Sequence, residues 1–490
     1  MMNAALVMPV RLFGRWEGFL HSWGCFRFVL LALFLCAPLV VRAQWEPDVR
    51  LTYNDSATNT SFNNAWCVAA SGDTVHAVWH DNRDGNWEIY YKRSTDGGTN
   101  WDSDVRLTTN DGAASFFPSV ASTGNDVHVV WEDNRDGNFE IYTKRSTDGG
   151  TSWDSDVRLT NDRFYSVHPS VAVSGSIVHV VWYDQRDGND EIYTNRSTNR
   201  GTSWGGDLRL TSDGARSWYP SVAASGSNVH VVWSDGRDGS DEIYIKRSTD
   251  GGASWDPDFR LTSSGAGSWV PSVTASGSYV HVVWEDYRDG NEEIYTKRST
   301  NGGTSWVGDH RLTNNSAYSE YPSVTVSGLN VHVVWQDNRD GNFEIYTNRS
   351  TNGGTSWGGD LRLTTNSANS NNPSVATSGS KVHVVWRDQR DGNYEIYYKR
   401  NPTGNSGVEE SSGSFQPLTS NLSFSVVPDP FTSFTTLPGH EAERFSLYDI
   451  SGRKVGVYRG DRIGSGLSAG VYFLRPQEGN AKPVRVVKVR

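Results

Sequence analysis

Val229-His230-Val231-Val232-Trp233-Ser234-Asp235-Gly236-Arg237-Asp238-Gly239 is one copy of a block that decides the fold of this chain. The pattern Val-His-x-Val-Trp-x-Asp-x-Arg-Asp-Gly occurs seven times, about every 51 residues. Its copies begin at Val75, Val127, Val178, Val229, Val280, Val331 and Val382. A period of this length, filled with short strand-like runs, is typical of propellers and solenoid arrays. Because an enzyme site is asymmetric, seven near-copies favour a scaffold or a set of repeated binding sites.

The sequence around this copy predicts four strands and the turns between them. The predicted strands are residues 220–226, 229–233, 242–247 and 259–262. The second is apolar on both faces apart from its histidine, as expected for a strand that is covered on both sides. Four antiparallel strands make one propeller blade, so the sequence predicts one blade per repeat.

The two ends of the repeat array are staggered by one strand. A predicted fourth strand, Arg-Leu-Thr, starts at Arg50, Arg106, Arg158, Arg209, Arg260, Arg311 and Arg362. The first copy precedes the first block, and the last block has none after it. The strand at 49–52 would therefore complete the blade that begins at Pro373, which would remove two exposed sheet edges. We predict an all-β protein with a seven-bladed β-propeller over residues 44–400, closed by the N-terminal strand and followed by a small C-terminal β-sandwich.

The N-terminus and the charge balance indicate an exported protein. Residues 1–43 have the pattern of a signal peptide, with basic residues, an apolar run at 28–41 and a cleavage point after Ala43. The run is about 14 residues long, shorter than the ~20 that a spanning helix needs, so we predict no transmembrane anchor after cleavage. A membrane anchor is the alternative. We expect a secreted or outer-surface location. The net charge of -11 disfavours nucleic acid as a partner.

A turn motif, Ser-x-Asp/Asn-x-Gly-x-x-Trp, recurs six times between the predicted third and fourth strands. Its acidic or amide side chain can accept backbone N–H bonds within the turn. These side chains are Asp96, Asp148, Asn199, Asp250, Asn301 and Asn352. The motif resembles the Asp-box, or BNR repeat, of sialidase-like propellers, and the Arg-Asp-Gly-Asn-x-Glu-Ile-Tyr run resembles the repeat of TolB-like propellers. Both resemblances imply the same fold, and in the Asp-box family the boxes lie away from the catalytic face.

The resemblance to sialidases raises the question of catalysis. Sialidases hold a sugar carboxylate with three arginines and use a Tyr nucleophile with Glu and Asp. The Phe/Tyr-Arg-Ile-Pro pattern of that family is absent from this sequence, and no single repeat carries a unique Tyr/Glu/Asp set. We therefore predict a protein without catalytic residues, with a sialidase-like glycoside hydrolase as the alternative. The recurrent arginines of the second-to-third strand turn, each followed by Asp, are Arg83, Arg135, Arg186, Arg237, Arg288, Arg339 and Arg390.

Two recurrent patterns suggest metal binding but have simpler interpretations. Asp81, Asp84, Asn86 and Glu88 are oxygen ligands at calcium-like spacing, although Arg83 stands where an EF-hand has a carboxylate. We favour a hairpin with an Asp-Gly turn and an Arg–Glu cross-strand pair. Recurrent histidines lie too far apart to share a metal and are interpreted as core residues: His76, His128, His179, His230, His281, His332 and His383. We predict no metal and no cofactor, with calcium as an alternative.

The connections between repeats differ most from copy to copy, and they should share a face with the Arg-Asp-Gly turns. Exposed aromatic rings beside Asp, Asn and Arg suit sugar recognition, whereas the alternative is that they fill the rim and pack between blades. We predict non-catalytic binding of a glycan or surface polymer, with a structural or adhesive surface protein as a further alternative. The candidate aromatic contacts are Phe116, Phe117, Tyr165, Trp218, Tyr219, Trp269, Tyr318 and Tyr321, with Phe62 and Trp66 in the first blade, and the recurrent turn arginines complete the set.

A different unit follows the repeats. Residues 401–420 are rich in Gly, Ser and Asn and are predicted to be a linker. Residues 421–490 contain strand-like runs near 424–431, 445–455 and 467–474. They resemble the C-terminal sorting domain of the bacterial type IX secretion system, although Asp429-Pro430 replaces the usual Asn-Pro. The resemblance implies that the type IX secretion machinery is a partner of residues 421–490. The alternative is a generic small β-sandwich.

Overall fold

The computed structural model describes residues 45–61, 67–404, 436, 444–449, 454–459, 461–463, 467–476 and 484–488. The chain divides into two compact units, 1–408 and 409–490. The predicted signal peptide, residues 405–420 of the predicted linker, and Phe62 with Trp66 lie outside the described residues, as do parts of the predicted sorting domain. The described residues are all-β, and none of them forms a helix long and apolar enough to cross a membrane.

Seven antiparallel sheets follow one another along the first unit, and each has long second and third strands and a fourth strand of two residues. The N-terminal strand is β1 (Val49–Arg50). The first sheet has β2 (Thr58–Asn59), β3 (Val68–Ser71), β4 (Thr74–Asp81), β5 (Glu88–Ser94) and β6 (Val105–Arg106). The second has β7 (Ser115–Thr123), β8 (Asp126–Asp133), β9 (Glu140–Ser146) and β10 (Val157–Arg158), and the third has β11 (Ser166–Ser174), β12 (Ile177–Asp184), β13 (Glu191–Ser197) and β14 (Leu208–Arg209).

The later sheets repeat this arrangement. The fourth has β15 (Ser217–Ser225), β16 (Asn228–Asp235), β17 (Glu242–Ser248) and β18 (Phe259–Arg260), and the fifth has β19 (Ser268–Ser276), β20 (Tyr279–Asp286), β21 (Glu293–Ser299) and β22 (His310–Arg311). The sixth has β23 (Ser319–Ser327), β24 (Asn330–Asp337), β25 (Glu344–Ser350) and β26 (Leu361–Arg362), and the seventh has β27 (Ser370–Ser378), β28 (Lys381–Asp388) and β29 (Glu395–Asn401). Repeated four-stranded antiparallel sheets of this kind fit a propeller-like fold.

The core lies between neighbouring sheets, because the second strand of each is covered on both faces. In the fourth sheet Val231 and Trp233 are fully buried, and they pack with Val181 and Ile192 of the third. Full burial of one such side chain contributes about 1.5–3 kcal/mol. The first strands of all seven sheets line one common cavity of about 270 Å³, with small Ala, Val, Ser and Thr side chains facing it.

The N-terminal strand pairs as the staggered repeat predicts. β1 is antiparallel to β29 in the seventh sheet, with Val49 opposite Tyr398. Ion pairs flank this pairing, because Asp48 lies 2.7 Å from Arg390 and Glu46 lies 2.6 Å from Arg400. β27 of the seventh sheet also contacts β3 of the first. The first and last parts of the repeat array are therefore in direct contact.

In the second to seventh sheets, the first strand begins about three residues earlier than the sequence predicts. β15 starts at Ser217, and a bulge lies between Trp218 and Ser221. The bulge residue before each proline has a positive φ, which only a few per cent of non-glycine residues adopt. These residues are Phe117 (49°), His168 (54°), Tyr219 (53°), Val270 (49°), Tyr321 (52°) and Asn372 (51°). The aromatic residues among these six were predicted to lie in the connections between repeats. That prediction is wrong, because they belong to the bulged start of a strand.

The described part of the second unit is a single antiparallel sheet. It contains β30 (Arg444–Asp449), β31 (Lys454–Arg459), β32 (Gly470–Pro476) and β33 (Val484–Lys488), in the order β31-β30-β32-β33. Phe445, Leu447 and Leu474 are buried in its small core with Ile463. A β-sandwich needs a second layer, and the described residues supply one sheet, so the predicted sandwich stays a prediction.

Candidate ligand-binding face

The recurrent turn arginines are engaged in a buried network. In the fourth sheet Asp235 is fully buried, accepts hydrogen bonds from Trp233 Nε1 (2.7 Å) and Ser217 Oγ (3.0 Å), and pairs with Arg237 (2.6 Å). Arg237 also pairs with Asp258 at 2.8 Å and lies 4.3 Å above the ring of Tyr244. The pattern Trp-x-Asp-x-Arg therefore ties the second, third and fourth strands of one sheet together.

These arginine contacts recur at the seven predicted arginines, and each guanidinium pairs with at least two carboxylates and covers a tyrosine ring. They are Arg83, Arg135, Arg186, Arg237, Arg288, Arg339 and Arg390. Their role as ligand contacts stays a prediction. An Arg–Glu cross-strand pair is present in this sheet between the third and fourth strands. Glu242 pairs with Arg260 at 2.9 Å, whereas Arg237 pairs with Asp235 and Asp258.

The turn motif and the recurrent histidines lie at the opposite end of the strands from the bulges. Oδ1 of Asp250 accepts backbone N–H bonds from Ala253 and Ser254, each at 2.9 Å, which is the local geometry that the sequence predicts. Arg247 of the fourth sheet donates to Thr304 in the turn of the fifth, at 2.6 Å. Burial lowers the pKa of His230 to about 4, so this histidine is a neutral core residue. This end is therefore built from repeated structural contacts.

Three rows of side chains at the bulge end differ from repeat to repeat. The bulge row holds the two residues before each proline: Phe116, Phe117, Val167, His168, Trp218, Tyr219, Trp269, Val270, Glu320, Tyr321, Asn371 and Asn372. The second-strand row is the position between Trp and Asp of the block: His80, Glu132, Tyr183, Ser234, Glu285, Gln336 and Arg387. The third-strand row precedes the recurrent Glu: Trp87, Phe139, Asp190, Asp241, Glu292, Phe343 and Tyr394. We call these three rows together the variable face.

Sequence reasoning missed the second-strand row. The signal was present, because this position changes in every repeat except for a repeated Glu, while Trp and Asp on either side of it never change. The position lies inside the block that defines the repeat, where the shared residues give the stronger signal. In a near-identical array, positions that differ mark where specificity can differ.

Aromatic rings of the first four sheets lie against one another on the variable face. Phe117 is 4.5 Å from His168, and His168 is 5.2 Å from Tyr183, between ring centroids. Tyr219 stacks on Trp218 at 4.5 Å and meets His168 at 5.6 Å. The structure therefore brings together Phe116, Phe117, Trp218 and Tyr219 of the predicted set with the rings of His168 and Tyr183.

Two fully buried carboxyl groups lie under this surface. Glu132 accepts a hydrogen bond from the backbone N–H of His168 (2.7 Å), and Glu285 from that of Tyr321 (3.1 Å). Burial raises the pKa of both side chains to about 8. Gln336 makes the equivalent bond to Asn372, at 2.9 Å. This row therefore braces the strained bulge of the following sheet and holds acid groups that can be protonated at neutral pH.

The seventh sheet places a cation in the same row. Arg387 donates from Nη1 to Asn59 (2.8 Å) and lies 4.6 Å above the ring of Tyr394. Burial lowers its pKa, and its Nε is buried without a hydrogen-bond partner among the described residues. Burial, and secondly the charge of Arg387, lower the pKa of His80 to about 3. The variable face therefore carries acidic groups in several sheets and a guanidinium in another.

The remaining predicted residues are spread over the same end. Tyr165 and Tyr318 are exposed in the connections before β11 and β23, and Tyr165 lies 6.0 Å from Phe139. Trp269 donates from Nε1 to Asp241 at 2.9 Å. Within the described residues no group of three or more His, Cys, Asp or Glu side chains is arranged to hold a metal ion.

The comparisons with known proteins concern the fold of this chain and do not show its function. No protein-family model and no curated protein matches the chain. The structure is similar to an ulvan lyase of a new polysaccharide lyase family, at a TM-score of 0.52 and 11% identity, covering 72% of this chain and 95% of that chain. A second structure of this lyase family gives 0.51 and 11%, with the same coverage. A Trypanosoma rangeli sialidase has a TM-score of 0.45 and 14% identity over 79% of this chain and 82% of that one.

Proposed function

We propose that the first unit is a closed seven-bladed propeller whose variable face binds a glycan without cleaving it. Closure is supported by the β1–β29 pairing, by the contact of β27 with β3, and by Arg400, which donates to Gly97 in the first repeat at 2.6 Å. Each of these contacts joins the last repeat to the first. The seven sheets would then surround the common cavity lined by their first strands.

One observation carries the binding proposal. The scaffold repeats its core, its ion pairs and its turns nearly unchanged, but three rows of side chains at the bulge end differ from repeat to repeat, and several of these are partly exposed aromatic rings beside polar groups. Trp218 and Trp269 are both partly exposed, and each contacts a charged neighbour. Aromatic faces with a few placed polar groups are the usual lining of small-ligand sites. Rings stack on the apolar faces of sugars while polar groups bond the hydroxyls.

A glycan array with the purified protein tests this proposal, run with and without calcium because we propose that no metal is needed. We expect selective binding in both conditions that weakens about tenfold or more in Trp218→Ala and Trp269→Ala. Leu329→Ala is the control, since Leu329 is an exposed apolar residue in the β23–β24 hairpin at the opposite end. A blank array in both conditions would overturn the proposal and leave a structural or adhesive role.

Glycoside cleavage is the second candidate, and the buried carboxyls favour it. A general acid needs a pKa near the working pH, and burial brings Glu132 and Glu285 to about 8. Tyrosines lie close to both groups, since the charge of Glu132 acts on Tyr183 and that of Glu285 acts on Tyr219. Turnover of array-positive oligosaccharides, followed by chromatography of the products, is the test. Products lost in Glu132→Gln or Glu285→Gln alone would establish an enzyme, and unchanged oligosaccharides would exclude cleavage of those glycans.

We propose further that the protein is exported and sorted to the outer surface or secreted. The apolar run at 28–41 and the sorting-domain resemblance of residues 421–490 support a signal peptide and recognition by the type IX secretion machinery. Mass spectrometry of the protein isolated from its native cells tests both ends. An N-terminus at residue 44 and loss of the C-terminal unit, or its linkage to a surface polymer, is the expected result. An intact chain in the cell interior would contradict the proposal.

A further inference from the structure

The fourth repeat departs from the others at two positions of the turn between its second and third strands, beside the variable face. Gly236 replaces Asn, Gln or Tyr, and Ser240 replaces an Asn present in the six other repeats. Both replacements remove side-chain atoms from the turn between β16 and β17. The larger residues at the first position are Asn82, Asn134, Gln185, Tyr287, Asn338 and Gln389, and the asparagines at the second are Asn86, Asn138, Asn189, Asn291, Asn342 and Asn393.

The third repeat shows what the missing side chains do elsewhere. Gln185 donates to Oδ1 of Asp190 at 2.9 Å, and Asn189 donates to the carbonyl of Ala215 at 2.5 Å. The same asparagine contact to the following connection recurs in later repeats, for example from Asn342 to Ala368 at 2.6 Å. In the third repeat, the turn thus satisfies both the acidic oxygen and the carbonyl, and the contact to the carbonyl is the one that recurs in other repeats.

In the fourth repeat, the turn supplies no side-chain donor to the equivalent acceptors, which are Oδ1 of Asp241 and the carbonyl of Ala266. Gly236 has no side chain, and Oδ1 of Asp241 would lie 3.3 Å from a Cβ built there, so this oxygen faces the vacated space. Ser240 is too short for the asparagine contact and instead meets Glu242 at 3.5 Å. The carbonyl of Ala266 therefore has no amide partner from this position, and Ala266 lines the space that results.

This space is an open cavity of about 340 Å³ between the fourth and fifth sheets. Small-ligand pockets begin at about 300 Å³. Trp269 forms one wall and is fixed there, because its Nε1 is bonded to Asp241 and its ring lies so close to Gly267 that a side chain at Gly267 would clash with it. Arg216 lines the cavity as well and pairs with Asp241 at 3.1 Å, so the two charges offset each other.

We propose that this cavity is the subsite of the glycan-binding face that takes a neutral pyranose. The inference rests on the proposed glycan binding and adds where one sugar binds and what kind it is. One face of the ring stacks on Trp269, and its hydroxyls donate to Oδ1 of Asp241 and to the carbonyl of Ala266, which are acceptors without donors from the turn. An ionised sugar is disfavoured, because the Arg216–Asp241 pair leaves no net charge for it to neutralise.

The test fills the cavity with the residues that other repeats carry. The full-length protein is titrated with methyl α-D-glucopyranoside, galactopyranoside, mannopyranoside and glucuronide, and binding is followed by saturation-transfer NMR. Gly236→Gln with Ser240→Asn rebuilds the turn of the third repeat, so it should fold with an unchanged or higher Tm. We expect at least one neutral pyranoside to bind the native protein and to lose about tenfold or more in affinity in the filled variant and in Trp269→Ala. Gln389→Asn, the same position in the seventh repeat, should bind as the native protein does.

The outcomes separate this inference from the proposal on which it rests. Unchanged pyranoside affinity in the filled variant overturns the subsite, as does failure of all three neutral probes or tighter binding of the glucuronide. A positive glycan array that is insensitive to the filling overturns the subsite but leaves glycan binding by the face intact. A blank array with pyranoside binding that disappears on filling keeps the subsite and overturns the wider proposal.

Discussion

At the scale of single residues, the most consequential side chain of each repeat is the aspartate of Trp-x-Asp. Asp133 is 1% exposed and joins Trp131, Ser115 and Arg135. Asp133→Ala should lower the free energy of unfolding by about 3–5 kcal/mol, because it leaves a half-buried guanidinium without its nearest partner. Urea unfolding followed by tryptophan fluorescence measures the change.

The same repeat offers a matched control for that prediction. Asp154 also pairs with an arginine, Arg145, at 2.5 Å, but its side chain is 56% exposed. Surface pairs contribute only about 0–1 kcal/mol, so Asp154→Ala should be nearly neutral. Equal losses in the two variants would show that the buried network is not what stabilises the repeat.

The buried glutamates of the variable face predict a stability that falls with rising pH. The folded-state pKa of Glu132 and Glu285 is about 8, above the ordinary 4.5. Their stabilising contribution is therefore complete below about pH 4.5 and is lost as the pH rises through about 8. Glu132→Gln with Glu285→Gln should flatten the decline of Tm between about pH 5 and pH 9, whereas Gln336→Glu, which adds a carboxyl to the same row, should steepen it. Parallel Tm curves for all three proteins would contradict the pKa shifts.

At the scale of elements, the Ser-x-Asp/Asn-x-Gly-x-x-Trp turn packs closely against the preceding sheet. In the second repeat, this contact leaves no room for a side chain at one of the turn's glycines. Gly149 (φ 70°) and Gly150 (φ 83°) both have left-handed backbones, but only a side chain at Gly150 would meet another residue, the hydroxyl of Tyr91 in the first sheet. Gly149→Ala should cost about 1–2 kcal/mol from its backbone alone. Gly150→Ala should cost clearly more, and thermal unfolding of both variants measures the difference. Equal costs would mean that the contact between turn and sheet is loose.

The strands themselves were predictable, and the bulges were not. The apolar runs and the turn residues predict the second and third strands nearly to the residue. Val-His-Val-Val-Trp is apolar on both faces apart from its histidine, and this pattern indicates a strand that is covered on both sides. The bulge at Trp218 and Tyr219 changes the period of the strand, and a tyrosine before proline gives no sign of a positive φ. The sequence therefore identifies the aromatic residues of the candidate face but predicts them in loops instead of in strands. Its buried half, with Glu132 and Arg387, was missed because it lies within the repeat that defines the fold.

At the scale of the whole molecule, the two ends of the strands differ in what their side chains do. The turn end carries contacts that pass from each repeat to the next, such as Arg145 to Thr202 at 2.6 Å, and these are the same wherever they occur. The bulge end is free to vary, because the invariant Trp-x-Asp-x-Arg network beneath it already holds each sheet together. The fourth sheet lacks two side chains at Gly236 and Ser240, where a cavity lies, and still keeps this network.

Closure of the array is the property that a last comparison can decide. Asp48 pairs with Arg390 (2.7 Å) and Lys399 (3.0 Å), although 342 residues separate it from Arg390. Asp156 makes the equivalent pairs with Arg135 and Lys144, both at 2.8 Å, within one sheet. If the N-terminal strand closes a seven-bladed ring, Asp48→Ala should lower Tm as much as Asp156→Ala does, by about 2–4 °C per kcal/mol lost. Hydrogen exchange should also show equal protection of β29 and β9, since each is then covered by a fourth strand. A neutral Asp48→Ala with fast exchange in β29 would mean that the array is open in solution and that the seventh sheet has an exposed edge.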